Sequence, residues 1–299
     1  MAGASGAIGS ALCETLLARG DEVVGLTRDP ARARRSSARI EWHAWEPTRE
    51  RPGPEAFDGV DAVINLVGEP INQRWTDQAK KQIMESRRTG TRNLVAAITA
   101  LDERPKALIS GSAVGYYGDR GKATVDESSG PGTGFAANVT VEWEAAAREI
   151  EEAGLRLAII RTGLVLDPES GLLKQLLTPF KLGVGGPVGG GSQYMPWIHI
   201  ADEVGILVWA LDDDEVTGVI NATSPSPATN KELSKALGRA LGRPALVPVP
   251  GLALNLILGS ELAETVKGGQ RALPKRTLEL GYSFRHPELD EAFRDLLGS

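Results

Sequence analysis

The stretch Gly3-Ala4-Ser5-Gly6-Ala7-Ile8-Gly9 decides how this chain is read. Its three glycines recur every third residue. They lead straight into Ile8, Ala11, Leu12, Thr15 and Leu16, the i, i+3, i+4, i+7, i+8 spacing of a helix with one buried face. The first N–H groups of such a helix have no internal acceptor, and its dipole places partial positive charge among them. Glycines there let the backbone turn tightly and come close to a pyrophosphate. Gly3, Ser5, Gly6, Ala7 and Ile8 are therefore the expected phosphate-facing residues, although three glycines before a helix are a weak signal alone.

Working outward, only Met1 and Ala2 precede the turn, whereas a nucleotide-binding turn should follow a strand of roughly five residues. The expectation is that this start lies downstream of the natural one. Beyond the helix, residues 22–27, 61–68, 106–112 and 155–161 are apolar, strand-like runs. Helices are expected over 76–101 and from about 134 to 153. Strands alternating with helices predict an α/β class with a doubly wound parallel sheet of Rossmann type. Residues 183–192 form a glycine-dense loop framed by apolar segments. A mostly helical region broken by prolines, Pro250 among them, follows from about 228. The expected division is a nucleotide-binding domain over 1–227, including a substrate-side loop at 167–200, and a helical region over 228–299.

Composition excludes several classes. The 299 residues carry a net charge of −6, so there is no electrostatic footprint for nucleic acid. No apolar run reaches the ~18 residues of a membrane span, and no signal peptide is expected. The single cysteine, Cys13, excludes an internal disulfide and fits a reducing, cytoplasmic setting; it reads as a small buried residue. The three histidines, His43, His199 and His286, are scattered and suggest no metal site.

Thr27-Arg28 ends the second strand, where dinucleotide folds meet the adenosine ribose. An acid there favours NAD and an arginine accommodates the 2′-phosphate of NADP. Arg28 is followed by Arg32, Arg34 and Arg35, so NADP(H) is the expected cofactor. Ligands gather at strand ends in such sheets, so Leu66, Val67 and Gly68, together with Ser110 and Ser112, should border it. Arg87, five residues after Gln82, is a surface helix cation or a cleft residue.

The stretches GASGAIGSAL (3–12), INLVGEPI (64–71), RWTDQAKKQIMESR (74–87), SGSAVGYYG (110–118), VEWEAAA (141–147), RTGLVL (161–166), the run 179–207, GVINATSPSPATNKEL (218–233) and LPKRTLELGYSF (273–284) together resemble one family. It is the atypical extended short-chain dehydrogenase/reductases described as epimerase-family proteins with a C-terminal domain of unknown function. The resemblance implies a Rossmann domain holding NADP(H) and a small substrate-side region. It places Thr27, Arg28, Leu66, Val67, Gln82, Arg87 and Val165 against the cofactor, beside the glycine turn. It also exposes a departure. Extended reductases carry a Tyr-x-x-x-Lys pair in which lysine lowers the tyrosine pKa. Aligning Glu144 with the glutamate usual in that helix puts Ala136 and Thr140 at the two positions. Ser112 and Tyr116 are then the catalytic candidates, with Ser110, Tyr117 and His199 as further pocket candidates; each tyrosine could equally be a packed loop aromatic, and His199 a structural histidine.

Three functions stay open: an NADP(H)-dependent oxidoreductase on a small molecule, a nucleotide-sugar epimerase or dehydratase, and a non-enzymatic, NADP-responsive binding protein, for which the resemblance offers a cell-division link in some relatives.

Overall fold

The computed structural model describes residues 1–248 and 259–298. The proline break expected at Pro250 lies outside them.

The core is a parallel sheet. β1 (Val24–Thr27) pairs with β2 (Glu41–Ala44), and β3 (Ala62–Asn65), β4 (Ala107–Ala113), β6 (Arg156–Thr162) and β10 (Gly218–Ala222) form a second ladder in the order β10-β6-β4-β3. Two residues join the ladders. Ala2 bridges in parallel to Leu26 on one side and to Asn65 on the other. Its N–H donates to Ile64 O at 2.9 Å, its carbonyl accepts from Leu66 N–H at 2.9 Å, and Met1 O accepts from Leu26 N–H at 2.9 Å. Met1-Ala2 thus occupies the central strand position, and the sheet runs β2, β1, Ala2, β3, β4, β6, β10. That is the Rossmann order, with its switch point between Ala2 and β3, where the glycine turn begins.

α1 (Ala7–Arg19) buries Gly9, Leu12, Cys13 and Leu16. This face is rotated from the one the periodicity indicates, and Thr15 points outward with its hydroxyl on Ala11 O. The cause is local: a Cβ at Gly9 would lie 2.1 Å from Gly3 O, so Gly9 must sit beneath the turn. Cys13 is buried in the same face, and burial pushes its thiol up to about 11, as befits an inert packing residue.

α1 and α6 (Ile200–Asp212) cover one sheet face, closing a cluster with Ile64, Ile109, Ile160 and Ile220. α3 (Asp77–Thr99) and α4 (Phe135–Arg148) cover the other, packing Leu94, Ile98 and Ala147 on Val63, Leu108 and Ile159. Burial on both faces is why these strands read as continuous apolar runs. Thr76 caps α3 by accepting from Ala79 N–H at 3.1 Å, which fixes the helix start.

A smaller lobe lies over the C-terminal ends of the strands. It holds β5 (Thr124–Val125), β7 (Leu164–Leu166), α5 (Gly171–Lys181), β8 (Tyr194–Met195), β9 (Trp197–His199), β11 (Ala228–Thr229) and α7 (Asn230–Ala240). α8 (Ser260–Lys267) packs Leu262 against Ile83 and Val139 of the α3–α4 layer, β12 (Arg271–Ala272) pairs with β5, α9 (Lys275–Glu279) holds to β10 through Thr277 and Arg276, and α10 (Leu289–Leu297) completes the lobe. Trp197, Phe180, Leu237 and Phe293 form its core. α2 (Pro30–Ser36) and β2, which lie in an arginine- and proline-rich stretch, are not among the expected elements, nor are α5 and α6. No helix among the described residues is long and apolar enough to cross a membrane.

Candidate functional site

The glycine turn is built to hold an anion. Gly3 has φ +80°, and a Cβ on it would lie 2.7 Å from the Leu66 carbonyl carbon and oxygen, so only glycine fits. Gly6 is the N-cap of α1 and donates to Gly3 O at 3.0 Å, with no side chain capping the helix. Ser5, Gly6 and Ala7 are exposed and Ile8 half-buried. The first turn holds no acidic residue that would compete for the helix N–H groups. Together these leave an open, positively polarised end suited to a pyrophosphate.

Thr27 is half-buried at the end of β1, and Arg28 is exposed beside it. Asp29, the acid next to Arg28, is already used: its Oδ1 accepts from Arg32 N–H at 2.9 Å and caps α2. Among the described residues the Arg28, Arg32 and Arg35 side chains have no protein partner, whereas Arg34 donates to Trp42 O. Arg28 at the strand end, with Arg32 following on α2, is an exposed basic group where a ribose phosphate would come.

Leu66 follows β3 directly against Gly3 of the turn, and Leu66 and Val165 both pack on the large cluster that also holds α1. Val67 N–H donates to Asn65 Oδ1 at 3.3 Å, and Asn65 Nδ2 donates to Thr91 Oγ1 at 2.9 Å, holding the backbone after β3. Gly68 is exposed, and a Cβ there would meet Arg87 Cζ at 2.8 Å. Arg87 folds back from α3, donating to Glu69 O at 2.9 Å and stacking 5.0 Å from the Trp143 ring. Burial lowers its pKa to about 10, so it remains a cation at neutral pH. Arg87 is therefore neither a free surface cation nor remote from the strand ends. Gln82 is exposed on the same helix.

Ser110 and Ser112 are buried on β4. Ser112 Oγ donates to Glu144 Oε1 at 2.7 Å, and Glu144 also accepts from Arg161 Nε at 2.8 Å and Nη2 at 2.9 Å. Arg161 Nη1 donates to Tyr117 Oη at 3.0 Å, and Tyr117 Oη donates to Asn221 Oδ1 at 2.7 Å. Burial pushes the Tyr117 phenol up to about 12. Tyr117 is thus a packed, satisfied aromatic. Tyr116 differs: it is half-buried, its ring centroid lies 3.4 Å from Arg161 Cζ, and its hydroxyl has no partner among the described residues. The sequence did not point to Arg161, which clamps both tyrosines; its place in RTGLVL, one strand away from Glu144, was the available signal.

On α4, Ala136 lies against the Tyr116 turn, since a Cβ at Gly115 would be 3.6 Å from the Ala136 methyl. Thr140 Oγ1 donates to Ala136 O at 3.1 Å and to Ala137 O at 2.8 Å, within its own helix. Ala136 has no proton to transfer, and the Thr140 hydroxyl is spent on its own helix.

His199 is not a pocket group. It caps α6, its Nδ1 accepting from Ala201 N–H at 3.0 Å, and its Nε2 lies 3.2 Å from Asp295 Oδ2. Burial lowers its pKa. The ring stacks on His286 at 3.9 Å, so two histidines read as scattered in fact meet, with Asp295 beside both. The Nδ1 lone pair is taken by Ala201, which leaves the proton of the neutral ring on Nε2, where a metal would have to bind.

The family model described as the NAD dependent epimerase/dehydratase family matches residues 1–222. The chain belongs to that family. A domain of unknown function, DUF1731, matches residues 249–296. The human epimerase family protein SDR39U1 is 38% identical over 299 residues, covering 99% of this chain and 98% of that protein. A crystal structure of the human protein (isoform 2) with NADPH superimposes with a TM-score of 0.90 at 36% identity, covering 100% of this chain and 98% of that one. A nucleoside-diphosphate sugar epimerase from Corynebacterium glutamicum gives a TM-score of 0.80 at 32% identity, covering 99% of this chain and 57% of that one. The epimerase family therefore accounts for the Rossmann order and for the glycine turn at its switch point.

Proposed function

We propose that this chain binds NADP(H) and acts as an oxidoreductase on a small molecule held beside Tyr116. The observation that carries the cofactor choice is Arg28, an unpartnered guanidinium at the end of β1 whose neighbouring acid is spent on a helix cap. The human relative crystallised with NADPH supports the same choice. The glycine turn would seat the pyrophosphate, Arg28 and Thr27 the adenosine ribose phosphate, and Leu66, Val67, Arg87 and Val165 the remainder. Reduced nicotinamide, when bound, supplies a hydride. Tyr116 is the half-buried hydroxyl free to pass a proton to the substrate oxygen, and Arg161 against its ring face favours the phenolate left behind.

A second reading rests on α4. With Ala136 and Thr140 in place of the proton relay, an NADP-responsive binding protein without turnover also fits. The sugar-epimerase reading draws on the Corynebacterium protein's description, and the missing relay weighs against it.

Titration with NADPH and NADH, followed by an NADPH-oxidation screen over aldehydes and ketones, tests these readings. NADPH should bind at least about tenfold more tightly than NADH. Tyr116→Phe should abolish turnover and leave NADPH binding intact. Tight NADPH binding with no turnover of any carbonyl would transfer support to the second reading, and no NADPH binding would sink both.

A further inference from the structure

Arg271 is an arginine whose charge finds no acceptor among the described residues. It lies on β12, in the segment that runs parallel to β5, and it is half-buried. Its Nε is shielded from solvent and has no hydrogen-bond acceptor. Its guanidinium sits 5.3 Å from the Tyr194 ring, a contact that offsets part of the desolvation without supplying an acceptor. The other buried or half-buried arginines of the described chain, Arg87, Arg88, Arg120, Arg156, Arg161 and Arg276, each hold a carbonyl or a carboxylate. Arg271 holds neither.

Its position gives this meaning. Ala272, the next residue, packs with Val114, Tyr117 and Val125 in the cluster against which Tyr116 rests. Tyr194 follows the glycine-dense loop, and a Cβ at Gly269 would lie 2.6 Å from Tyr194 O, so the loop end and the β12 segment are pressed together. Thr223 Oγ1 donates to Ala272 O at 3.4 Å, tying β12 to the end of β10. Arg271 thus lies at the C-terminal ends of the strands, one residue from the cluster that supports Tyr116, on the side of the sheet where ligands collect. A guanidinium is a planar fork matched to carboxylate and phosphate oxygens, and a partly desolvated one binds them more strongly than a solvated one.

We infer that Arg271 is the anion-recognition residue of the substrate cleft, so that the substrate carries a carboxylate or phosphate in addition to the group that reacts beside Tyr116. This rests on the cleft beside Tyr116 being where substrate is held. Tyr194 lies against the guanidinium, and with Nε shielded the Nη nitrogens would meet the anion.

The test is calorimetric titration of NADPH-saturated protein with malonate and, separately, with pyrophosphate, for wild type, Arg271→Gln and Arg271→Lys. Saturation with NADPH keeps both probes out of the glycine turn. At least one anion should bind wild type. Arg271→Gln should weaken that binding at least about tenfold, with Arg271→Lys in between. The NADPH dissociation constant and the melting temperature should be the same in all three, which separates this effect from misfolding. Equal anion affinity in wild type and Arg271→Gln, or no binding of either anion to wild type, overturns the inference. Loss of NADPH binding by wild type would instead overturn the cofactor reading, and the anion difference can still be measured in the cofactor-free protein.

Discussion

Arg161 on β6 and Glu144 on α4 meet through two parallel hydrogen bonds, 2.8 and 2.9 Å long, with both side chains almost completely removed from solvent. Removing one partner leaves the other charge buried and alone. Glu144→Ala should therefore cost about 3–5 kcal/mol. Ser112→Ala, which deletes one hydrogen bond to the same carboxylate, should cost only about 1–3 kcal/mol. Urea unfolding of the two variants checks this. Equal losses, or a loss below about 1 kcal/mol for Glu144→Ala, would mean that the pair is not the anchor of the network holding Tyr116 and Tyr117.

The glycine turn makes a steric prediction. A Cβ at Gly9 would lie 2.1 Å from Gly3 O, whereas one at Gly130 would meet nothing within 4 Å. Neither glycine has a positive φ, so the comparison isolates crowding from backbone strain. Gly9→Ala should destabilise the protein by about 1–3 kcal/mol and sharply weaken NADPH binding by displacing the turn. Gly130→Ala should change neither. Thermal unfolding with and without NADPH reads both effects, and an unaltered Gly9→Ala would show that the turn yields easily.

The fold class was legible because β3, β4 and β6 are covered on both faces and so read as unbroken apolar runs. β2 was not, since an edge strand with the half-exposed segment Glu41–Ala44 carries no such run. The central strand was illegible for another reason: Met1-Ala2 has no pattern at all, and only the carbonyls and amides of its two neighbours identify its place. For the site, the glycine turn and Arg28 could be read locally because backbone geometry and strand ends follow from short stretches. Glu144 with Arg161, and Arg271 with Tyr194, could not, because each relation joins distant elements and consists in what a side chain does or does not find there.

Glu203 links stability to pH. It is fully buried on α6, its Oε1 accepting from Thr162 Oγ1 at 2.7 Å while Oε2 has no partner. Burial pushes its carboxyl up from 4.5 to about 7. The folded protein thus keeps a proton that the unfolded chain has lost. Its contribution is fully present below pH ~4.5, declines as pH rises and is gone above about 7. A shift of this size corresponds to roughly 3 kcal/mol. Glu203→Gln, which cannot ionise, should gain on wild type by about that amount between pH 5 and 8. Parallel denaturation curves for the two proteins across that range would refute the shift.

Arg28 is where cofactor choice is decided, if the basic group at the end of β1 holds a 2′-phosphate. Arg28→Ala should weaken NADPH binding by roughly 1.5–3 kcal/mol, the worth of a charge-assisted contact to phosphate. NADH lacks that phosphate, so its affinity should hardly move, and the preference for NADPH should fall by more than about tenfold. Arg32 and Arg35 are also without partners among the described residues, so they set a limit on this loss: if either shares the phosphate, the double variant with Arg28→Ala loses more than the single one. High salt should reduce the NADPH preference of wild type more than that of Arg28→Ala, because Arg28 is exposed and screened. Equal weakening of NADPH and NADH by Arg28→Ala would place Arg28 in the shape of the turn instead of at the phosphate.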